Sequence, residues 1–70
     1  MRLVGDLDAN ERQILGCLVR GMSNTHIAVA SGTSLENVVS VRASMMTKLL
    51  VKRTADAVRI GLLAGVDRAD

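Results

Sequence analysis

Apolar side chains recur along the chain in four blocks, each with helical spacing and each bounded by capping or turn residues. The first block holds Ile14, Leu15, Leu18 and Val19. Asp8 with Glu11 three residues on is a start signal of the capping-box type, with Asp in place of the usual Ser or Thr. Gly21 is a stop, because glycine takes the left-handed conformation of a C-terminal cap without steric cost. The spacing predicts a helix over residues 9–20. The second block is short. Ser23 or Asn24 caps about eight helical residues, Ile27, Ala28 and Ala30 or Ser31 supply a small apolar face, and Gly32 ends it.

Thr33 or Ser34 then caps the longest block, "LENVVSVRASMMTKLL". Setting Val38 on the core and stepping about 100° per residue puts Val41, Met45 and Leu49 beside it. Glu36, Ser40, Ala43 and Thr47 point the opposite way, and Val39 and Met46 share one flank. The last block turns at residues 51–53, is capped at Thr54 and runs for about ten residues to Gly65. Ala57, Val58, Ile60, Leu62 and Leu63 cover more than one face of it, as in a helix that is fully packed or half buried against a partner chain. A short helix, a glycine-containing turn and a longer helix form a helix-turn-helix, whose second helix is the one that enters the major groove.

Composition narrows this picture. Prolines and aromatics are both absent, which favours an all-α fold of closely packed small helices and argues against the base-stacking platforms of many single-strand and RNA binders. Seventy residues make one domain, expected over 7–66 with an N-terminal extension at 1–6 and a C-terminal tail at 67–70. A core this small leads us to expect dimerisation or a larger parent chain. One cysteine, Cys17, fits a small buried hydrophobe, and with a lone His26 it is too little for a structural zinc site. No metal or cofactor is expected. No nucleophile, base and orienting group can be assembled, so an enzyme is not expected either. The start "MRLVGD" lacks a signal-peptide core and "IGLLAGV" is too short to span a bilayer, so a cytoplasmic protein without membrane contact is anticipated.

Net charge is only +2, but it is unevenly placed. Arg42, Lys48, Lys52, Arg53 and Arg59 face a single Asp56 between residues 42 and 59, while the remainder of the chain is net acidic. A local basic stretch on a helix and its following turn is a footprint that phosphate backbones attract.

The order and spacing of "LDANERQILGCLVRGMSNTHIA" and "TSLENVVSVRASMMTKL" resemble the LuxR-type helix-turn-helix, a four-helix DNA-binding domain of bacterial transcription regulators that includes GerE and the FixJ-like response regulators. The likeness covers residues 7–65, and "VRASMMTKL" and "AVRIGLLAG" are most similar to the FixJ-like branch. It implies an all-α, four-helix domain that docks its third helix in the major groove of double-stranded DNA as a dimer. It also implies roles for residues at matching positions. Ser23 and Asn24 would lie near phosphate, as would Ser34 at the start of the reading helix. Val39, Ser40 and Ala43 would face the groove, with Arg42 and Lys48 near the backbone. Charge and side-chain chemistry add Lys52 and Arg53 to Arg42 and Lys48 in neutralising phosphate, and leave Asn37 as the best remaining hydrogen-bonding candidate. Val58, Ile60, Leu62 and Leu63 of the last helix would make the homodimer contact. The family usually carries this domain after a receiver or ligand-binding module, and the six residues before Leu7 leave no space for one, so signal input is expected outside this chain.

Several positions depart from the family pattern. Val39 stands where Lys or Arg is common, Val41 where His is, Asn37 where Thr is and Thr25 where Lys is. Leu50 replaces the glycine of the turn into the last helix, where a left-handed conformation carries a steric cost for leucine. Thr54 replaces an Arg, with Arg53 beside it. The loss of charge on the reading face motivates an alternative: a diverged helix-turn-helix that binds a protein, such as a related regulator it antagonises, with little DNA binding.

Overall fold

The computed structural model describes residues 5–65. Four helices account for the regular structure of these residues: α1 (Ala9–Val19), α2 (Asn24–Ser31), α3 (Leu35–Lys48) and α4 (Thr54–Ala64). The all-α, four-helix expectation is met. Most of the extension assigned to residues 1–6, and the whole tail at 67–70, lie outside the described residues. No helix among the described residues is long and apolar enough to cross a membrane.

Three of the four helices start on a side-chain cap. Asp8 and Glu11 form the complete capping box of α1: the Glu11 N–H donates to Asp8 Oδ1 at 2.8 Å and the Asp8 N–H to Glu11 Oε1 at 2.9 Å. Ser23 caps α2, accepting from the His26 N–H at 3.1 Å, and Ser34 caps α3, accepting from the Asn37 N–H at 3.0 Å. Each such cap stabilises its helix by about 1 kcal/mol. The N-cap position of α4 is Arg53, which makes no side-chain cap bond, so the Thr54 cap expected from the sequence is replaced by the preceding residue.

Helix ends close by one device. At the end of α1 the Gly21 N–H donates to the Leu18 carbonyl (2.9 Å) and the Met22 N–H to that of Cys17 (3.1 Å), with Gly21 at φ 81°. This paired closure uses the last free carbonyls of the helix. It ends α1 at Val19, one residue before the expected boundary. α2 closes in the same way at Gly32, φ 67°. α3 repeats the pattern with a leucine. The Leu50 N–H donates to the Thr47 carbonyl and the Val51 N–H to that of Met46, both at 3.1 Å, and Leu50 adopts φ 60°. The left-handed turn therefore survives the loss of glycine, at a cost of about 1–2 kcal/mol. Leu49 is buried before this turn, and Val51 and Met46 pack on the core around it, while the Leu50 side chain is 81% exposed.

α1 is the centre of the packing, lying against both α3 and α4, while α2 packs on α3. Leu15, Ile27, Val38, Met45, Leu49 and Ala57 are buried and draw all four helices into one core. Cys17 is buried as well. On α4 the residues that turn inward completely are Ala57 and Gly61, one turn apart. Val58 and Ile60 of the same helix pack partly on the core, while Leu62 and Leu63 stay exposed.

Candidate nucleic-acid interface

α3 has a buried side and an exposed side, and the two flanks between them differ in chemistry. Glu36, Ser40, Ala43 and Thr47 are exposed, opposite the buried Val38, Met45 and Leu49, as the periodicity predicts. Val41, expected in the core, is half buried.

On one flank, Val39, Arg42, Ala43 and Met46 line an open depression whose far wall is Asn24, Lys52 and Thr54. Arg42 organises it. Its guanidinium donates to Asn24 Oδ1 at 2.7 Å and to Thr54 Oγ1, tying α3 to the first residue of α2 and the first residue of α4. The fork has five N–H donors in one plane, so both ties leave donors over and the charge unopposed. Lys52, in the turn, is exposed and has no ion pair among the described residues. Arg53 is 82% exposed beside it, and its loose contact with Asp56 at 3.4 Å is a solvent-screened pair of little energetic weight. The beginning of α2 adds backbone N–H groups with no partner in their own helix. Cations, a helix N-terminus and an apolar patch thus border the exposed side of α3.

The other flank turns toward α1. Ser44 Oγ donates to Glu11 Oε2 and Lys48 Nζ donates to Glu11 Oε1, both at 2.7 Å. Glu11 is 2% exposed, and its carboxylate also holds the Asp8 N–H. Burial opposes its ionisation, but the hydrogen bonds from Lys48, Asp8 and Ser44 and the Lys48 charge win, holding the carboxyl near pKa 2, from an ordinary 4.5. Its hydrogen bond to Glu11 likewise raises the pKa of Lys48. Asn37 lies on the same flank. Its amide donates to Thr33 Oγ1 at 2.9 Å, and it lines a second depression with Asn10 and Gln13 of α1.

The residues expected at a DNA interface therefore divide. Asn24, Val39, Arg42, Ala43 and Lys52 meet around one depression, with Ser40 on the adjoining exposed face and Arg53 at the edge of the turn. The Ser23 and Ser34 hydroxyls serve as helix caps. Asn37 and Lys48 lie on the far flank, and the charge of Lys48 is matched by Glu11. Val58 and Ile60 of the expected dimer surface are half buried against the protein's own core, whereas Leu62 and Leu63 are 54% and 73% exposed. The contribution of Glu11 to this framework was missed in reading its capping box alone. A signal was present: Glu11 precedes Ile14, Leu15 and Leu18 by three, four and seven residues, which puts it on the buried stripe of α1.

Comparison with known proteins gives two findings. The family model described as bacterial regulatory proteins, luxR family, matches residues 6–60. The transcriptional regulatory protein FixJ of Azorhizobium caulinodans is 43% identical over 67 residues, which is 96% of this chain and 32% of FixJ. The chain thus spans about a third of the length of that relative. No solved structure matches.

Proposed function

Because the chain belongs to the luxR family of bacterial regulatory proteins, we propose that it acts as the DNA-binding module of a transcription regulator in the bacterial cytoplasm, laying α3 in the major groove of double-stranded DNA. The observation that carries this reading is the depression around Arg42. A guanidinium with donors to spare, a lysine without an ion pair among the described residues and the start of α2 border the exposed side of α3. Phosphate on this side would meet Arg42, Lys52, Arg53 and the α2 N–H groups, which position a duplex without reading its sequence. The exposed side chains of Val39, Ser40 and Ala43 would then face base edges, with apolar contact to thymine methyl groups from Val39 and Ala43. Arg42 has a double role here: it shapes the depression through Asn24 and Thr54 and offers its remaining donors to phosphate.

Fluorescence anisotropy of mixed-sequence duplex DNA, titrated at several salt concentrations, tests this reading. Counterion release makes affinity fall steeply with salt when several phosphates are neutralised. Absence of binding even at low salt overturns the proposal.

The family places the dimer contact on the last helix, and Leu62 and Leu63 support it here, being large apolar side chains left in solvent near the end of α4. Sedimentation of the chain should show a dimer that Leu62→Glu or Leu63→Glu shifts toward monomer; a wild-type monomer at high concentration rejects this contact. A second reading draws on the absence of any basic residue on the exposed side of α3: a helix-turn-helix that binds a related regulator protein instead of DNA. It predicts that anisotropy stays flat on adding duplex at every salt concentration, and steep salt-dependent binding eliminates it.

A further inference from the structure

The exposed side of α3 carries one charge, and that charge is negative. Glu36, Ser40, Ala43 and Thr47 are exposed along it, while Arg42 and Lys48 leave to opposite flanks, toward Asn24 and Thr54 on one side and Glu11 on the other. The Thr47 hydroxyl is taken by the Ala43 carbonyl at 3.0 Å. Glu36, the second residue of the helix, has a carboxylate with no hydrogen-bond or ion-pair partner among the described residues. An acid in the first turn is favoured by the helix dipole, which suffices to explain it on a helix that faces only water. On a helix that faces a polyanion, the same group meets repulsion unless a donor is placed opposite it.

Resting on the DNA-binding reading, we infer that Glu36 is the main base-selecting residue of this helix and that it selects cytosine. The N-terminal residues of a reading helix are those that reach base edges, and a carboxylate there can only accept. In the major groove guanine offers two acceptors and thymine an acceptor and a methyl group, while adenine sets its amino donor beside an acceptor nitrogen; cytosine presents an amino donor alone. A C·G pair under Glu36 is thus the arrangement that offers the carboxylate a donor with the least repulsion: the cytosine amino group has an acceptor, guanine O6, on one side only, whereas the adenine amino group lies between N7 and thymine O4. Val39, on the next turn, and Ala43 beyond it can add thymine methyl contacts to the same site. Specificity arises in part by penalty: Glu36 weakens binding to every sequence that lacks the donor, which also lowers general affinity for DNA.

Selection from a pool of randomised duplexes, followed by sequencing, tests the assignment on the whole chain, on Glu36→Gln and on Glu36→Ala, with circular dichroism confirming that each variant is folded. The wild type should enrich one C·G pair, and replacing that pair should weaken binding by about ten-fold or more. Glu36→Gln should move the preference at that position to A·T, since a carboxamide pairs with the adenine amino group and ring nitrogen together. Glu36→Ala should lose the preference there alone and bind mixed-sequence duplex about two- to five-fold more tightly at low salt, a carboxylate having been removed from the phosphates. Base preferences that are the same in the wild type and Glu36→Gln overturn the assignment and leave DNA binding standing, as does a wild type that binds every sequence alike. A wild type that retains no duplex at low salt removes both.

Discussion

Arg42 and Lys48 lie on the same helix, yet their two surroundings put one cation to use at a surface and the other in the framework. On the Lys48 flank, an ammonium and a hydroxyl converge on a buried carboxylate that also closes the first turn of α1. On the Arg42 flank, a guanidinium is held by two neutral oxygens, so its position is fixed but its charge is not cancelled. The same residue class thus fastens α3 to the core on one side and leaves a positive depression on the other. Fixing a charge with neutral partners is how a binding surface stays both ordered and electrostatically available.

The sharpest way to break this contrast is to remove the carboxylate at the centre of the framework. Glu11→Ala takes the acceptor from Ser44 and from the Asp8 N–H together and should cost about 2–4 kcal/mol in urea unfolding, enough to lower the Tm of so small a domain by about 10 °C or more. An unchanged midpoint would mean that the cluster is a surface contact and not a fastening.

Acid should attack the same flank. The carboxyl of Glu11 is held near 2 in the folded chain against an ordinary 4.5, so the unfolded chain binds the proton more readily. Its contribution is present above about pH 5 and is lost progressively as pH falls toward 2. Denaturation midpoints measured across this window should fall in the wild type and fall less in Glu11→Gln.

Replacing each cation by methionine compares the flanks directly. Arg42→Met should flatten the plot of log affinity against log salt by about one unit, and Lys48→Met should change it much less while lowering thermal stability. Equal flattening by both would erase the distinction. The smallest expected effect is at the turn that follows: Leu50→Gly relieves the left-handed strain at the expense of a looser unfolded chain and should raise stability by about 0.5–1 kcal/mol in urea unfolding.

How far these flanks could be read in advance depended on the range of the forces that make them. Caps at Asp8, Ser23 and Ser34 and the stops at Gly21 and Gly32 act within a few residues, and each was visible as a residue type at a fixed offset. The exposed and buried sides of α3 followed from one period. The family pattern supplied Asn24, Val39, Arg42 and Ala43, the basic stretch supplied Lys52, and the fold gathers them around one depression. The partners of Glu11 lie 33 and 37 residues away, and those of Arg42 lie 18 and 12 away, so only the packing of helices could pair them. Lys48 was grouped with Arg42 by charge. The helical step sets them on opposite flanks of Val38, which charge counting overlooks. At Leu50 local preference argued against the left-handed turn, and the core packing of Leu49, Val51 and Met46 overrode it.

Mapping amide chemical shifts on addition of a mixed-sequence duplex at low salt tests whether the free side of α3 with its Arg42 flank is the surface that meets DNA. Large changes are expected on Glu36, Val39, Ser40 and Ala43, on Asn24 and Thr25 at the start of α2, and on Lys52 and Arg53, with Gln13 and Lys48 little moved. Changes centred instead on Leu62 and Leu63, or a spectrum that duplex DNA leaves unaltered, would contradict it.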